Sequence, residues 1–145
     1  MQVQSLGHAV LKVRNLERAE AFYNGVLGIP IAARHPSGTM TFFTLGNHHD
    51  LALLAVGDAA PSAPADAPGL YHVAFKIGDS PEQLRQAKED LERAGVPIDG
   101  SADHTVSLAL YIHDPDGNGI ELYVDASDAW KDDPARVTDI KPLVV

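Results

Sequence analysis

The chain is written twice, and that repetition restricts its fold more than any other feature. Leu6-Gly7-His8-Ala9-Val10-Leu11-Lys12-Val13 matches Leu70-Tyr71-His72-Val73-Ala74-Phe75-Lys76-Ile77. Leu, His and Lys recur at the same places, and the positions between them are mostly apolar. Each segment is rich in aliphatic and β-branched residues, as a strand requires. A helix pattern follows each one. Asn15 is a good N-cap for the first, Leu16, Ala19, Phe22, Tyr23 and Val26 recur at helical spacing, and Gly28 can end it. The second starts more strongly, with Ser80 as cap, Pro81 at the first helical position and Gln83 closing a capping box. Leu84, Ala87, Leu91 and Ala94 form its apolar stripe, and Gly95 ends it. Three strand candidates follow each helix. They lie near Ile29–His35, Met40–Leu45 and His48–Val56, then Val96–Asp99, Ser107–His113 and Gly119–Val124. Asp114-Pro115-Asp116-Gly117-Asn118-Gly119 reads as the turn between the last two.

This pattern predicts an α+β domain of two βαβββ modules, residues 5–56 and 70–125, with a polar linker over 57–69 and a tail over 126–145. A module of this kind exposes one apolar sheet face that it cannot bury alone. The two are therefore expected to form one curved mixed sheet, a cup, with the helices on its outer face. The tail has no clear period. Trp130 and Pro142-Leu143-Val144-Val145 mark it as a segment that docks on the body or on a partner chain.

Composition narrows the function classes. A length of 145 residues suits one domain, and 45% hydrophobic residues suffice for a core. The formal charge is 11 − 20 = −9, which argues against nucleic acid and anionic membrane surfaces as partners. The absence of cysteine removes disulfides, thiolate metal sites and cysteine nucleophiles. No signal peptide is visible at Met1-Gln2-Val3-Gln4, and no apolar run approaches the ~20 residues of a membrane span. The default compartment is the cytoplasm.

Histidine is where the chemistry points. There are seven: His8, His35, His48, His49, His72, His104 and His113. A lone histidine in a strand is more often a satisfied core or surface residue than a ligand. The repeat changes that for His8 and His72. Side chains alternate along a strand, so His8, Val10 and Lys12 share one face, as do His72, Ala74 and Lys76. The alternates Ala9, Leu11, Val13 and Val73, Phe75, Ile77 form the apolar face suited to helices. Ile120, Leu122 and Val124 do the same around Glu121. His8, His72 and Glu121 are thus expected to point into the cup and to hold one divalent metal ion. Two imidazoles and a carboxylate on one face leave positions open, as in non-haem Fe(II) oxygenases; the set also accepts Mn, Zn, Ni or Co.

These residues resemble the vicinal oxygen chelate superfamily, which includes glyoxalase I, bleomycin-resistance proteins and type I extradiol dioxygenases. The resemblance rests on Asn15-Leu16-Glu17-Arg18-Ala19-Glu20-Ala21-Phe22-Tyr23 with Val26-Leu27-Gly28, and on Asp114 to Tyr123. Three features are similar to the extradiol branch, and specifically to single-domain catechol 2,3-dioxygenase-like proteins. His48-His49-Asp50-Leu51 resembles its paired-histidine strand, which implies an acid–base role for His49. Local alternation with Leu51 and Leu53 would instead turn His48 inward, so both stay open. Asp103-His104-Thr105 is similar to the segment that supplies an outer histidine, and Tyr111 stands where that branch places a tyrosine on the substrate oxygen. The resemblance implies Fe(II), an aromatic diol and O2 as partners, ring opening beside the diol, and a homodimer. Two rivals remain: a glyoxalase I-like isomerase or lyase, and a bleomycin-resistance-type protein that binds a small molecule without chemistry. The first uses a fourth ligand, a Glu on the last strand of the first module, where this chain offers Asp50 or Leu51. The second typically lacks the metal triad. One fold hosts many activities.

Overall fold

A computed structural model describes all 145 residues and divides them into two compact units, Met1–Pro68 and Gly69–Val145. In the first unit, strand β1 (Ala9–Val13) leads into helix α1 (Leu16–Glu20), then β2 (Ile31–Arg34), β3 (Met40–Phe43) and β4 (Leu51–Ala55). The sheet order is β1-β4-β3-β2, with β1 parallel to β4 and the other pairs antiparallel. The second unit repeats this as β5 (Val73–Gly78), α2 (Pro81–Arg93), β6 (Ile98–Asp103), β7 (Ser107–His113) and β8 (Gly119–Asp125). Its order is β5-β8-β7-β6, extended at the β6 edge by a short strand β9 (Lys141–Pro142). The repeat in sequence is therefore a repeat in topology, and both units are βαβββ. A parallel pair needs a crossover rather than a hairpin, and each unit's helix begins that crossover.

The predicted caps form. The Asn15 side chain accepts from the Arg18 amide at 3.0 Å. Ser80 accepts from the Gln83 amide, and the Gln83 side chain reaches back to the Asp79 amide at 2.8 Å. The first helix departs from the even spacing expected for it. After Glu20 it widens into a π-helical turn over Ala21–Val26, with the Leu27 amide donating to Phe22 O, five residues back, at 3.0 Å. This still buries Phe22 and Tyr23, whose rings meet edge-on at 5.2 Å. An apolar stripe reports which side is buried, not how many residues make a turn.

The strand faces follow the alternation. Leu11 and Val13 are buried while Val10 and Lys12 are exposed. Ile120, Leu122 and Val124 are buried on either side of Glu121 and Tyr123. Strand bounds are the main correction. β2 begins at Ile31 rather than Ile29, and β6 runs over Ile98–Asp103 rather than ending at Asp99. His48, His49 and Asp50 precede β4 in a loop, because the Asp50 carboxylate caps the Leu45 and Asn47 amides at 2.6 and 3.3 Å. Local side chain to backbone bonds of this kind compete with strand pairing.

The linker is exposed apart from Ala60, whose carbonyl accepts from Arg14 Nε at 2.8 Å. The tail docks on the body, one of the two berths expected for it. Pro142 and Lys141 pair with Ala102 and Asp103, the Ser101 hydroxyl donates to Leu143 O at 2.7 Å, and Lys88 Nζ donates to Val145 O at 2.6 Å. Trp130 remains 47% exposed, with Lys131 Nζ 5.7 Å from its ring centroid. No helix is long and apolar enough to cross a membrane.

Candidate metal and proton-transfer site

In the second unit four of the predicted residues form one line. Tyr111 on β7 and Glu121 on β8 are directly opposed cross-strand partners, so their side chains leave the same face. His72 lies just before β5, two residues from Ala74, which is the partner of Glu121. His72 Nε2 is 3.0 Å from Glu121 Oε2. The Tyr111 hydroxyl is 3.4 Å from Glu121 Oε1 and 2.7 Å from His104 Nε2. His104 stands at the β6–β7 turn, where Thr105 takes a left-handed φ of 68° and its amide is held by Asp103 Oδ1 at 2.6 Å.

The proton positions along this line follow from its far end. His104 Nδ1 is 3.2 Å from the carbonyl of Asp139 in the tail. A carbonyl only accepts, so Nδ1 carries the hydrogen. In the neutral ring Nε2 is then an acceptor, and the Tyr111 hydroxyl donates to it. The longer approach to Glu121 is the weaker outlet for the same proton. Burial, followed by the negative charge of Glu121, pushes the Tyr111 phenol up to about 12, so it is a protonated donor at neutral pH.

His72 and Glu121 fit a metal. Two ligands at cis positions with bonds of about 2.1 Å stand roughly 3 Å apart, the separation of Nε2 and Oε2 here. The ring is also under-used by protein. Its Nδ1 is buried with no hydrogen-bond partner, and Nε2 meets only Glu121. A histidine kept for structure alone would have both nitrogens engaged. Gly119 sets how closely this ring approaches β8: a Cβ there would lie 2.4 Å from Tyr71 O and 3.2 Å from His72 Cβ.

The first unit gathers His8, His48 and His49. His8 sits just before β1, as His72 does before β5. Its ring faces that of His49 at 4.0 Å and meets His48 edge-on at 6.1 Å. His49 also packs against Phe42 at 5.3 Å. Both histidines of the pair thus turn toward His8, which the two-way alternation of a strand could not produce. Burial, then the nearby His8 and His48 rings, hold His49 below the ordinary histidine range, with Asp50 pulling weakly the other way. His49 is therefore a neutral ring at neutral pH, able to take a proton. The gathering of both His48 and His49 on His8, where alternation allows one of them, has no counterpart in the sequence reading, and neither have the Asp139 carbonyl and Gly119. None of these has a signal in a single sequence, since each depends on a loop or tail path.

The profile described as the glyoxalase/bleomycin resistance protein/dioxygenase superfamily matches residues 5–122. The chain is 38% identical over 121 residues to a catechol-2,3-dioxygenase of Bacillus subtilis, covering 83% of this chain and 41% of that protein. It is 33% identical over 125 residues to a biphenyl-2,3-diol 1,2-dioxygenase of Rhodococcus globerulus, covering 83% and 63%. The chain thus spans less than two thirds of either enzyme. Proteins named glutathione transferase FosA and lactoylglutathione lyase also match, at 31% identity. Among solved structures, a glyoxalase/dioxygenase from Nostoc punctiforme superimposes with a TM-score of 0.70 at 22% identity, covering 86% of this chain and 92% of that one, which speaks to the fold.

Proposed function

The chain belongs to the glyoxalase/bleomycin resistance protein/dioxygenase superfamily, and within it we propose an Fe(II)-dependent, extradiol-type dioxygenase acting on a catechol-like aromatic diol with O2. The observation that carries this reading is the line His72–Glu121–Tyr111–His104, in which two metal-type ligands meet a hydroxyl donor oriented by an imidazole. In the proposal His72 and Glu121 are metal ligands, and His8, the repeat counterpart of His72, is the third. The bound metal would bring diol and dioxygen together and pass electron density between them. The remaining work belongs to side chains. His49, neutral and close to His8, takes the diol's second proton and later returns it, as general acid–base catalysis requires. Tyr111, backed by His104, donates a hydrogen bond to developing oxygen charge. Both oxygen atoms enter the product, a muconic semialdehyde-type acid.

Strand register speaks against the four-ligand alternative. Val10 pairs with Ala52 as Ala74 pairs with Glu121, so the first-unit counterpart of Glu121 is Ala52. The sequence pointed to Asp50 or Leu51 for that place. Leu51 is fully buried, and the Asp50 carboxylate is occupied by backbone amides. No carboxylate therefore stands where a glyoxalase I-like site would need its extra ligand.

The test is anaerobic reconstitution with Fe(II), or with Mn, Zn, Ni or Co, followed by O2 and a panel of catechols. A yellow ring-cleavage product is expected with Fe(II). Full metal loading with no cleavage of any diol, together with isomerase activity on thiohemiacetals, would overturn the reading. A cytoplasmic homodimer is part of the proposal, and light scattering at micromolar concentration checks the dimer.

A further inference from the structure

The loop before β4 does more than deliver one base. The ligand nitrogens of His8, His48 and His49 all lie within 4.8 Å of one another, and all three belong to the first unit. Three imidazoles around a zinc-type ion with bonds of about 2.1 Å stand roughly 3.4 Å apart. Small rotations of two exposed rings close that gap, since His8 and His48 are at the surface and only His49 is half-buried.

The surroundings hold this cluster in place. Asn47 bridges the two chain segments: its Nδ2 donates to Gly7 O, next to His8, at 3.3 Å. Its Oδ1 accepts from the His48 amide at 2.9 Å and lies 3.1 Å from His48 Nδ1. A carboxamide oxygen on Nδ1 selects the tautomer with the hydrogen there and leaves Nε2 free to ligate, as outer partners of metal-bound histidines commonly do. The loop is closed by the Thr44 hydroxyl on Asn47 O at 2.7 Å and by Asp50 on Leu45 and Asn47. Asp50 is thereby committed to the loop, so the donor set is nitrogen only. An all-imidazole set selects borderline divalent ions such as Zn, Cu and Ni, and disfavours Mg, Ca and Mn, which prefer oxygen.

We propose that His8, His48 and His49 form a second, nitrogen-only transition-metal site within the first unit. It is separate from the catalytic ligand set in needing neither His72 nor Glu121. It shares His8 with that set and His49 with the proton-transfer role, and in this respect it rests on the proposed function. A zinc ion held there withdraws both residues from the reaction, which makes the loop a point of inhibition by borderline metals.

The experiment uses the full, tag-free chain and Zn(II), with affinity read by competition against a chromophoric chelator. His72→Ala with Glu121→Ala is expected to retain one zinc per chain. Adding His48→Ala to that background should lower the affinity by more than the roughly 10–100-fold typical of losing an outer partner. Asn47→Leu in the same background should lower it by an amount within that range. Unchanged thermal unfolding of the His48 variant, which alters an exposed ring, guards against misfolding. Loss of zinc from the His72, Glu121 double variant, or zinc affinity indifferent to His48, overturns the proposal. The dioxygenase reading fails separately, if the Fe(II)-loaded chain with His8, His48 and His49 intact cleaves no diol.

Discussion

The two units share a strand order and differ in what they place at equivalent points. Each starts its first strand one residue after a histidine, and each pairs that strand in parallel with its last. In the second unit the facing strand supplies Glu121, backed across the ladder by Tyr111. In the first it supplies Ala52, fully buried, and the polar groups come from the loop ahead of the strand. The contact beside the histidine differs as well. Gly119 lets the chain at Tyr71 and His72 lie against β8, whereas Asp50 accepts from its own loop amides beside β1. The lesson is that duplication preserves what the core demands, the alternation of buried residues, and frees the other face to diverge. One copy carries a hydrogen-bonded line across strands, and the other a cluster of rings next to a loop.

Breaking the line should have the largest effect. Glu121→Ala is expected to lower Fe(II) affinity by more than about 10²-fold and to reduce ring cleavage to background. Fe(II) analysis alongside turnover checks this, and full Fe(II) stoichiometry in the variant would remove Glu121 from the ligand set. On the cluster side, His49→Ala should keep Fe(II) while turnover drops by about 10²–10⁴-fold. The same residue predicts a pH profile. A base held below the ordinary histidine range is unprotonated above it, so activity is lost only as pH falls, with the acid limb of kcat/KM below about 6.5. An acid limb above that value would assign the base elsewhere. Tyr111, raised to about 12, should contribute no alkaline limb below that pH, and Tyr111→Phe should leave that side of the profile unchanged.

Two smaller effects concern what holds each unit together. Gly119→Ala inserts a methyl group where only 2.4 Å separates it from a carbonyl oxygen. A loss of about 1–3 kcal/mol in urea unfolding is expected, with weakened metal binding through the displaced His72. Unaltered stability and affinity would mean that β8 gives way freely. In the first unit the buried Thr41 hydroxyl donates to Glu20 at 2.6 Å, and Arg34 pairs with the same carboxylate. Thr41→Val should cost about 1.5 kcal/mol, the low end for a bond to a charged group. Arg34 first, and Thr41 with it, hold the Glu20 carboxyl below its ordinary value of 4.5. A group depressed in the folded state stabilises above its unfolded pKa, and that contribution disappears as pH falls through the folded one. The variant should accordingly lose less on acidification below about pH 4.5 than the parent does.

Much of this was legible in the residues. The repeated Leu-x-His frame, the alternation around Glu121 and both helix caps are local, periodic signals, and strands and helices obey them. What escaped is non-periodic. The π-helical turn after Glu20 preserves the buried side while changing the residue count. The loop at Thr44–Asp50 is decided by side chain to backbone bonds that outcompete the ladder, so strand alternation could not choose between His48 and His49. The tail's seat depends on main-chain pairing of Lys141 and Pro142, which composition does not foretell.

That seat has a consequence for how the protein can change over generations. The group that fixes the hydrogen on His104 is the main-chain oxygen of residue 139, not a side chain. Replacing Asp139 by another amino acid leaves the oxygen in place. The imidazole's orientation is therefore insulated from point mutation at its own partner. It is exposed to insertions, deletions or unpairing that reroute the segment around β9. Variation among descendants of this chain should then be permissive in residue type at 139 and strict in the number of residues between the end of β8 and β9.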